Sequence, residues 1–387
     1  MNLIISCEFH FYQTPDKQVW TTSSFSYDFW QRYLNCFESV IVIARVKNVA
    51  KAQAQWRPSS GKSVSFFNLP EYQGLFGLIK RLPKLILRLK AATKLEGMFL
   101  FRVPSQTASI LTSLLPRQRT YALEVVGDPE DVFSSGVGGK MLAPILGYFS
   151  KRTLKKQCQR AVGVSYVTQH YLQQKYPSAA HAITSHYSSL QLNEKYFSQK
   201  PRVYTYPARK LVFIGSLNQL YKAPDILFKA FAKLVKRDCN FHLTVIGTGV
   251  HQLMLEQLAQ ALEIQHNITF TGEVNHQQVL SYLQHAEVFV LPSRTEGLPR
   301  AMIEAMAQGL PCVGSVAGGI PELLAPDFCV PINDINALYM ALNTLCNNTQ
   351  LLTAQSTINL AASNDYQEGV LTQRRTDFYQ KLKDLNS

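Results

Sequence analysis

The chain has 387 residues, 46% of them apolar, and a formal net charge of +13. This length favours two α/β domains over one, and no apolar run approaches the roughly 18 residues that span a bilayer. The charge favours nucleic acid, an anionic membrane surface or phosphorylated substrates as partners, with diffuse basicity and no partner as the alternative.

Three further observations narrow the class of protein. No helix-turn-helix, zinc-finger or RNP-type pattern occurs, so we expect no nucleic-acid partner. The seven cysteines are scattered and odd in number, which favours free buried thiols in a reducing cytoplasm over disulfides or a zinc site. The first residues, MNLIISCEFHFY, lack a basic segment and predict a first strand instead of a signal peptide.

The N-terminal half alternates predicted strands with predicted helices, which is typical of a doubly wound, Rossmann-like domain. Helices are expected at 25–37 and 169–175. Strands are predicted at 3–6, 40–46, 98–102, 121–126, 162–167 and 183–187.

Two stretches in this half combine leucine or isoleucine with lysine and arginine. They are 79–90 (IKRLPKLILRLK) and 140–160 (KMLAPILGYFSKRTLKKQCQR). Such amphipathic basic helices lie on anionic bilayers, although a surface helix that packs its apolar side on the domain has the same pattern. Pro83 is expected to break or to start the first helix.

Several carboxylates follow the strand at 121–126, including Glu124, Asp128 and Glu130. Their place at the carboxyl end of a parallel sheet makes Asp128 a candidate for contact with a substrate. An aspartate that caps a turn before Pro129 is the alternative. Arg102 and His10, near two other strand ends, are weaker candidates.

The segment SSGVGGK at 134–140 is not a phosphate-binding P-loop, because that motif needs glycine at 134 and serine or threonine at 141. Gly136, Gly138 and Gly139 predict a mobile loop instead. Farther on, the polar segment 199–210 contains two prolines and is expected to be an interdomain linker.

The second half restarts the alternation of strands and helices. Strands are predicted at 210–214, 241–246, 267–271, 288–291 and 312–315. Helices are predicted at 224–236, 251–263, 277–284 and from Pro299 onward, with further helices within 333–363 and at 366–385. Pro299 suits a first helical turn and Gly309 a helix end.

The loop 293–298 lies between a strand and a helix, where open α/β sheets bind ligands. Backbone N–H groups of Gly297 and Leu298, together with the helix N-terminus, favour an anion such as phosphate. Glu296 lies in this loop. Glu304 lies on the helix, about 200° from Met302, and so points away from the core.

This ordered run resembles the retaining family 4 glycosyltransferases of the GT-B fold. The residues that carry the resemblance are Pro292-Ser293, Glu296, Gly297, Glu304-Ala305, Gly309, Pro311, Val313, Gly318-Gly319 and Glu322. Gly215 and Lys222, after the strand at 210–214, also match. The resemblance is strong over 210–332 and loose over 1–209.

The resemblance implies two Rossmann-like, doubly wound parallel-sheet domains that face a cleft, with bounds of 1–205 and 206–365 and a final helix at 366–387 that returns to the first domain. It implies that Lys222 binds the diphosphate of the donor, Glu304 the ribose hydroxyls, and Glu296 the donor sugar. Gly215, Ser216, Gly247 and Gly249 would line the nucleotide. No cofactor and no metal are expected.

Three positions depart from the family. Ser216 stands where an arginine is usual, so the bidentate clamp on the diphosphate is missing. Gly127-Asp128 occupies the place of a histidine, and Cys7-Glu8-Phe9-His10 replaces a glycine-rich loop.

The sequence therefore predicts a nucleotide-sugar-dependent glycosyltransferase of the hexosyltransferase type, which acts on a glycan or lipid-linked saccharide in polysaccharide synthesis. We expect it in the cytoplasm, with peripheral contact to the anionic inner face of the plasma membrane. A non-catalytic sugar-nucleotide-binding or scaffold protein is the alternative, and an RNA-binding protein a third, based on charge alone.

Overall fold

The computed structural model describes residues 1–130 and 139–385. Its contacts divide the chain into two compact units. The N-terminal unit contains Met1–Val167, Leu172–Tyr187 and Thr372–Ser387, and the C-terminal unit contains Thr168–Tyr171 and Ser188–Leu371. The predicted loop glycines 136 and 138 lie outside the described residues, whereas Gly139 begins a helix.

A parallel sheet forms the centre of the N-terminal unit. Its strands run in the order β5, β3, β1, β6, β7, β8, β9, and all of these neighbouring pairs are parallel. Two short strands, β2 and β4, add antiparallel pairs at the carboxyl end of β1. The strands are β1 (Asn2–Gln13), β2 (Val19–Thr21), β3 (Ser39–Asn48), β4 (Arg57–Pro58), β5 (Val64–Leu69), β6 (Met98–Val103), β7 (Tyr121–Val125), β8 (Gly163–Tyr166) and β9 (Ile183–His186).

The predicted apolar runs form the buried centre of this sheet, and burial of their side chains drives its formation. In β1, Leu3, Ile4 and Ile5 are fully buried, as are Val40 and Val42 in β3. Strand β5 was not predicted, because Ser65 and Asn68 interrupt its apolar residues. Strand β1 is longer than predicted and changes its register with β3 between Ser6 and His10.

Helices flank the sheet of the N-terminal unit. They are α1 (Tyr27–Leu34), α2 (Gly74–Ala92), α3 (Gln106–Leu114), α4 (Gly139–Arg160) and α5 (Tyr171–Lys175). The expectation that Pro83 breaks or starts a helix is wrong, because Pro83 lies inside α2. Proline there removes the N–H that would bond to the carbonyl of Ile79. Ile79 is exposed, so water can reach that turn of the helix.

The C-terminal unit contains a second parallel sheet, in the order β12, β11, β10, β13, β14, β15. Its order reverses between β10 and β13, and open α/β sheets bind ligands beyond the carboxyl ends of the strands at such a reversal. The strands are β10 (Lys210–Ile214), β11 (His242–Ile246), β12 (Ile268–Gly272), β13 (Val288–Leu291), β14 (Cys312–Ser315) and β15 (Cys329–Val330).

The helices of the C-terminal half begin and end close to the predicted bounds. They are α6 (Pro224–Arg237), α7 (Gln252–Ala261), α8 (His276–His285), α9 (Arg300–Ala307), α10 (Ile335–Cys346), α11 (Thr349–Ser363) and α12 (Glu368–Asp384). Helix α6 packs against α10, and α9 packs against α11. From Thr372 onward, α12 belongs to the N-terminal unit. Both units are therefore α/β with parallel, Rossmann-like sheets.

The divisions between the units differ from the predicted boundaries at 205 and 365. The segment predicted as a linker, 199–210, lies within the C-terminal unit. Arg202 explains its placement, because the guanidinium donates to the carbonyls of Gln308, Ala286 and Leu283. These bonds tie the segment to α8 and α9.

A buried carboxylate ties the final helix into the N-terminal unit. Glu124 in β7 accepts hydrogen bonds from the hydroxyls of Tyr33, Tyr187 and Tyr379, at 3.2, 3.1 and 2.6 Å, and pairs with Arg102. Burial would raise the pKa of Glu124, but Arg102 and the Tyr379 hydroxyl together hold that pKa below its ordinary value. Glu124 is thus a structural acceptor and does not face a ligand.

The seven cysteines, all within the described residues, are free thiols. Five are buried, whereas Cys239 is exposed and Cys329 is half-buried, so the expectation of buried thiols holds for most but not all. In the part of the chain that the structure describes, no helix combines the length and apolarity needed to cross a bilayer.

Candidate active site

The first side of the site is the loop after β10. Lys222 folds back over Gly215, where a Cβ atom would lie 2.3 Å from the Lys222 Cδ. Glycine at 215 therefore makes room for the lysine side chain, which is only 14% exposed. Ser216 is exposed, and its hydroxyl accepts from the backbone N–H of Asn218 at 3.3 Å.

The loop after β11 packs directly on this first loop. Gly247 has a φ of +133°, and a Cβ atom there would lie 2.1 Å from the carbonyl oxygen of Gly215. A Cβ atom on Gly249 would lie 2.0 Å from the backbone of Leu217. The described contacts of these two glycines are with the protein backbone, and their predicted place beside the nucleotide stays a prediction.

The second side of the site is the loop after β13, which carries Glu296. The Glu296 carboxylate lies 3.1 Å from Lys222 Nζ and accepts a 3.1 Å hydrogen bond from the Ser293 hydroxyl. Its side chain is 10% exposed. The structure therefore brings together the two charged residues that the sequence placed 74 positions apart, as an ion pair.

A pair of glycines supports the backbone of this loop from β14. Gly318 has a φ of +55°, and a Cβ atom there would lie 1.6 Å from the Glu296 carbonyl oxygen. The Gly319 N–H donates to the Gly297 carbonyl at 2.8 Å. These contacts fix the path of the loop on one side, which is a physical reason for glycine at both positions.

Arg294, which sequence reasoning missed, ties the two loops together. Its guanidinium bonds both oxygens of Asp225 at 2.9 and 2.7 Å, and it also donates to the Leu220 carbonyl and to Asn333. The Arg294 backbone N–H donates to the Tyr221 carbonyl at 2.6 Å. A bidentate arginine–carboxylate pair gives strict geometry, so it holds the turn that bears Lys222 against the loop that bears Glu296. No sequence pattern signalled this pairing.

Glu304 lies on α9, off the buried face formed by Met302, Ala305 and Met306. It is half-buried and lines a recess together with Tyr196 and His276. Burial raises the pKa of Glu304 to about 6, although Arg300 and Lys222 lower it. Among the described residues it makes no hydrogen bond, so its oxygens are available to a ligand.

The N-terminus of α9 is the remaining part of the site. Pro299 precedes the first turn and supplies no side-chain acceptor for the free N–H groups. Gly297 and Leu298 lead into this turn, and Leu298 is 9% exposed. The positive end of the helix dipole is thus left uncapped by the chain.

Glu322 has a structural role within the C-terminal unit. Its carboxylate accepts hydrogen bonds from the backbone N–H groups of Gln169, His170 and Tyr171, at 2.6, 3.0 and 2.5 Å. These three bonds engage both oxygens. Glu322 therefore stabilises the backbone at 169–171 and is not free for a ligand in this conformation.

The candidates in the N-terminal unit are engaged by protein partners. Asp128 is 1% exposed, accepts from the Tyr176 hydroxyl at 2.6 Å and from the Glu130 N–H at 2.9 Å, and pairs with Lys175. This geometry favours the turn-capping interpretation over contact with a substrate. Arg102 is likewise engaged by Glu124, and the two side chains contact Phe29 and Tyr33 of α1.

We expect that Glu304→Gln stabilises the protein at neutral pH. A folded-state pKa of about 6, above the ordinary 4.5, means that ionisation of Glu304 costs stability, up to about 2 kcal/mol. The protein therefore has this stability in full below pH 4.5, where Glu304 is protonated, and loses it as the pH rises through 6 and Glu304 ionises. The free energy of unfolding of both proteins, measured in urea across this range, checks the sign.

The matched control is Glu273→Gln, at an exposed position of the same unit, which should change little. A Glu304→Gln variant that is less stable than the parent at neutral pH, or a difference that persists below pH 4.5, would contradict the proposed environment of Glu304.

Residues 203–359 match the model of the family "Glycosyl transferases group 1". Protein CapJ of Staphylococcus aureus is 28% identical over 331 residues, which cover 84% of this chain and 82% of CapJ. The putative colanic acid biosynthesis glycosyltransferase WcaL of Escherichia coli is 30% identical over 37% of each chain.

The fold has solved counterparts. The crystal structure of Anabaena HepE in complex with UDP and glucose covers all of this chain and 99% of its own, with a TM-score of 0.64 and 16% identity. At that identity the likeness concerns the fold, which is the GT-B fold of glycosyltransferases. Residues 203–359 of this chain are therefore similar to the group 1 glycosyl transferases, within a chain that has the GT-B fold.

Proposed function

We propose that this protein transfers a sugar from a nucleotide-diphosphate donor to a glycan or lipid-linked saccharide, with retention of configuration, in the synthesis of a cell-surface polysaccharide. The observation that carries the proposal is the 3.1 Å ion pair of Lys222 with Glu296 where the strand order reverses between β10 and β13, with Glu304 close enough for Lys222 to lower its pKa. The name of WcaL, which refers to colanic acid biosynthesis, and the UDP and glucose bound to HepE support it.

Lys222 and the N-terminus of α9 would bind the diphosphate. The reaction leaves negative charge on that group, and preorganised positive groups stabilise such charge in the transition state. The N–H groups near Gly297 and Leu298 add donors beside the helix dipole. In this proposal the protein itself supplies the positive charge, and no metal takes part.

The two glutamates would bind the rest of the donor. Glu304, whose oxygens make no hydrogen bond among the described residues, would accept hydrogen bonds from the ribose hydroxyls. Glu296 would contact the hydroxyls of the sugar. Gly215, Ser216, Gly247 and Gly249 would line the nucleotide, since their backbones form the strand ends on the β10 side.

Binding of the donor would exchange one ion pair for another. Without a ligand, Lys222 pairs with Glu296 at 3.1 Å. A diphosphate carries more negative charge than one carboxylate and would draw Lys222 away, which frees Glu296 for the sugar. A carboxylate and a phosphate that compete for one ammonium also repel each other.

The first test is thermal unfolding of the full chain with UDP, GDP, ADP and CMP, with and without EDTA. We expect one nucleotide to raise the Tm, because a ligand at about a hundredfold excess over its Kd stabilises the folded state by about 2.7 kcal/mol. The shift should survive EDTA and disappear in Glu304→Ala. A shift without turnover of any nucleotide sugar would favour the scaffold alternative, and no shift at all would refute the donor site.

Glu296→Gln should bind the free nucleoside diphosphate more tightly than the parent does. The substitution removes both the competitor for Lys222 and the repulsion of the phosphate, and we expect roughly a tenfold lower Kd, which corresponds to about 1.4 kcal/mol. Isothermal titration calorimetry with the nucleotide found above measures it, alongside Glu273→Gln as a control. An unchanged or weakened affinity would show that the ion pair does not compete with phosphate.

We also propose that α2 and α4 bind an anionic membrane surface, where a lipid-linked acceptor would lie. Both helices pack on α3 and so share one side of the N-terminal unit. On α2, Phe76 is 86% exposed, and Ile79 and Leu87 are also exposed; on α4, Tyr148 and Phe149 are exposed. Leu85 and Leu89 of α2 are buried, so part of its apolar side packs on the unit and part does not.

Flotation with vesicles tests this surface. The protein should float with phosphatidylglycerol-containing vesicles and not with phosphatidylcholine vesicles. Lys80→Glu with Lys84→Glu on α2 should reduce binding at least about tenfold, because each cation near the surface contributes about 1 kcal/mol. Lys229→Glu with Lys236→Glu, an equal charge change on exposed positions of α6, is the control. Equal flotation with both lipids would refute the proposal.

A further inference from the structure

Arg300 is the first residue of α9, directly after the loop that carries Glu296. It was not a candidate from the sequence. Its side chain is exposed, and among the described residues its guanidinium has no hydrogen bond and no ion pair. Because side chains on a helix lean toward its N-terminus, the guanidinium is directed toward the turn before α9, where the free N–H groups of the helix lie.

A cation at this position does not stabilise the helix. The positive end of the helix dipole lies at the N-terminus, so arginine is unfavourable in the first turn and favourable in the last. Helix α6 follows that rule, with Asp225 in its first turn and Arg237 in its last. Arg300 also precedes Glu304 by four positions, and an ion pair in that order is the weaker one. The stability of α9 therefore does not explain Arg300, and such a departure from local preference is expected at a functional site.

Arg300 lies close to the charged groups of the site. Both Arg300 and Lys222 lower the pKa of Glu304, so the two cations approach the same carboxylate. Arg294, in the preceding loop, bonds both oxygens of Asp225 and is not available to a ligand. Arg300 has no such partner among the described residues, so its donors are available.

The charge balance of the site calls for a second cation. Glu296 and Glu304 together carry a charge of −2 when both are ionised, whereas Lys222 supplies +1 and Ser216 is neutral. These groups alone would leave a net charge of −1, which repels a diphosphate. Arg300 brings the net charge to zero. Its guanidinium also offers a fork of donors that matches the oxygens of a phosphate.

We infer that Arg300 binds the diphosphate of the donor together with Lys222, Arg300 from the N-terminus of α9 and Lys222 from the loop after β10. The inference rests on the proposed glycosyltransferase function and adds a binding residue to the donor site. Arg300 supplies from the helix the guanidinium that Ser216 does not provide on the loop. A diphosphate suits two cations better than a single carboxylate does, because it carries more negative charge on more oxygens.

Isothermal titration calorimetry on the full chain tests this residue, with UDP, GDP and ADP as probes. For the diphosphate that the parent binds, Arg300→Gln should raise the Kd at least about tenfold, and Arg300→Lys, which keeps the charge without the fork, should raise it less. The Kd of the parent should also rise more steeply with NaCl than that of Arg300→Gln, because salt screens an attraction that the variant lacks. At pH 8 Glu304, with a pKa of about 6, is ionised, so its ionisation cannot cause the difference.

The matched control is Arg237→Gln, which removes an exposed arginine from the last turn of α6 and should leave both the Kd and its salt dependence unchanged. Circular dichroism shows whether each variant is folded, and Arg300→Met, which also removes the charge, decides the question if Arg300→Gln is not.

Two results would overturn the inference: a Kd of Arg300→Gln equal to that of the parent, or a higher Kd with the salt dependence of the parent. If the parent binds a diphosphate and Arg300→Gln binds it equally well, only this role of Arg300 is refuted. A parent that binds none of the three diphosphates refutes the donor site, and the role of Arg300 with it.

Discussion

The reversal of strand order between β10 and β13 determines where the C-terminal unit can place its charged groups. Crossover connections in parallel sheets keep one hand, so the chain leaves these two strands in opposite directions and a crevice opens between their loops. Lys222 lies on one loop and Glu296 on the other. Loops that diverge in this way are held together only by a contact between them, and the bidentate pair of Arg294 with Asp225 is such a tie. The 3.1 Å contact of Lys222 with Glu296 depends on that tie as much as on the two residues themselves.

Glu124 and Glu304 show how the surroundings of a carboxylate separate structure from function. Glu124 has four donors, from Arg102 and three tyrosines, and its pKa lies below the ordinary value despite burial. Glu304 lies in a recess beside Tyr196, and burial raises its pKa to about 6. The first carboxylate is satisfied by the protein and stabilises it. Glu304 destabilises the protein when it is ionised, and proteins keep such a group where a bound ligand compensates for the lost stability.

The sequence predicts the C-terminal unit well because its strands are short, apolar and bounded by glycine or proline, as 288–291 and 312–315 are. It also predicts Glu296 and Glu304 as site residues from their spacing between two strands and Lys222 from its place after a strand, and the structure brings Lys222 and Glu296 together as an ion pair. It does not predict Arg294 with Asp225, because a pairing across 69 positions leaves no local pattern. It leaves two interpretations of Asp128 open for a related reason: an aspartate at a strand end suggests a site, and only the fold shows that Tyr176 and Lys175 engage it.

Because Ser216 carries no positive charge, the lysine of the site, Lys222, depends on its partner Glu296. A guanidinium stays charged in almost any surroundings, whereas burial of an unpaired ammonium costs free energy. Lys222 is 14% exposed, so without a ligand it needs an anion nearby, and Glu296 is that anion. The same carboxylate must then give up the lysine when a diphosphate arrives. Glu296 would thus keep Lys222 in place when no donor is bound and would contact the sugar when a donor is bound. The affinity for phosphate would then depend on the difference in free energy between two ion pairs, not on the strength of one.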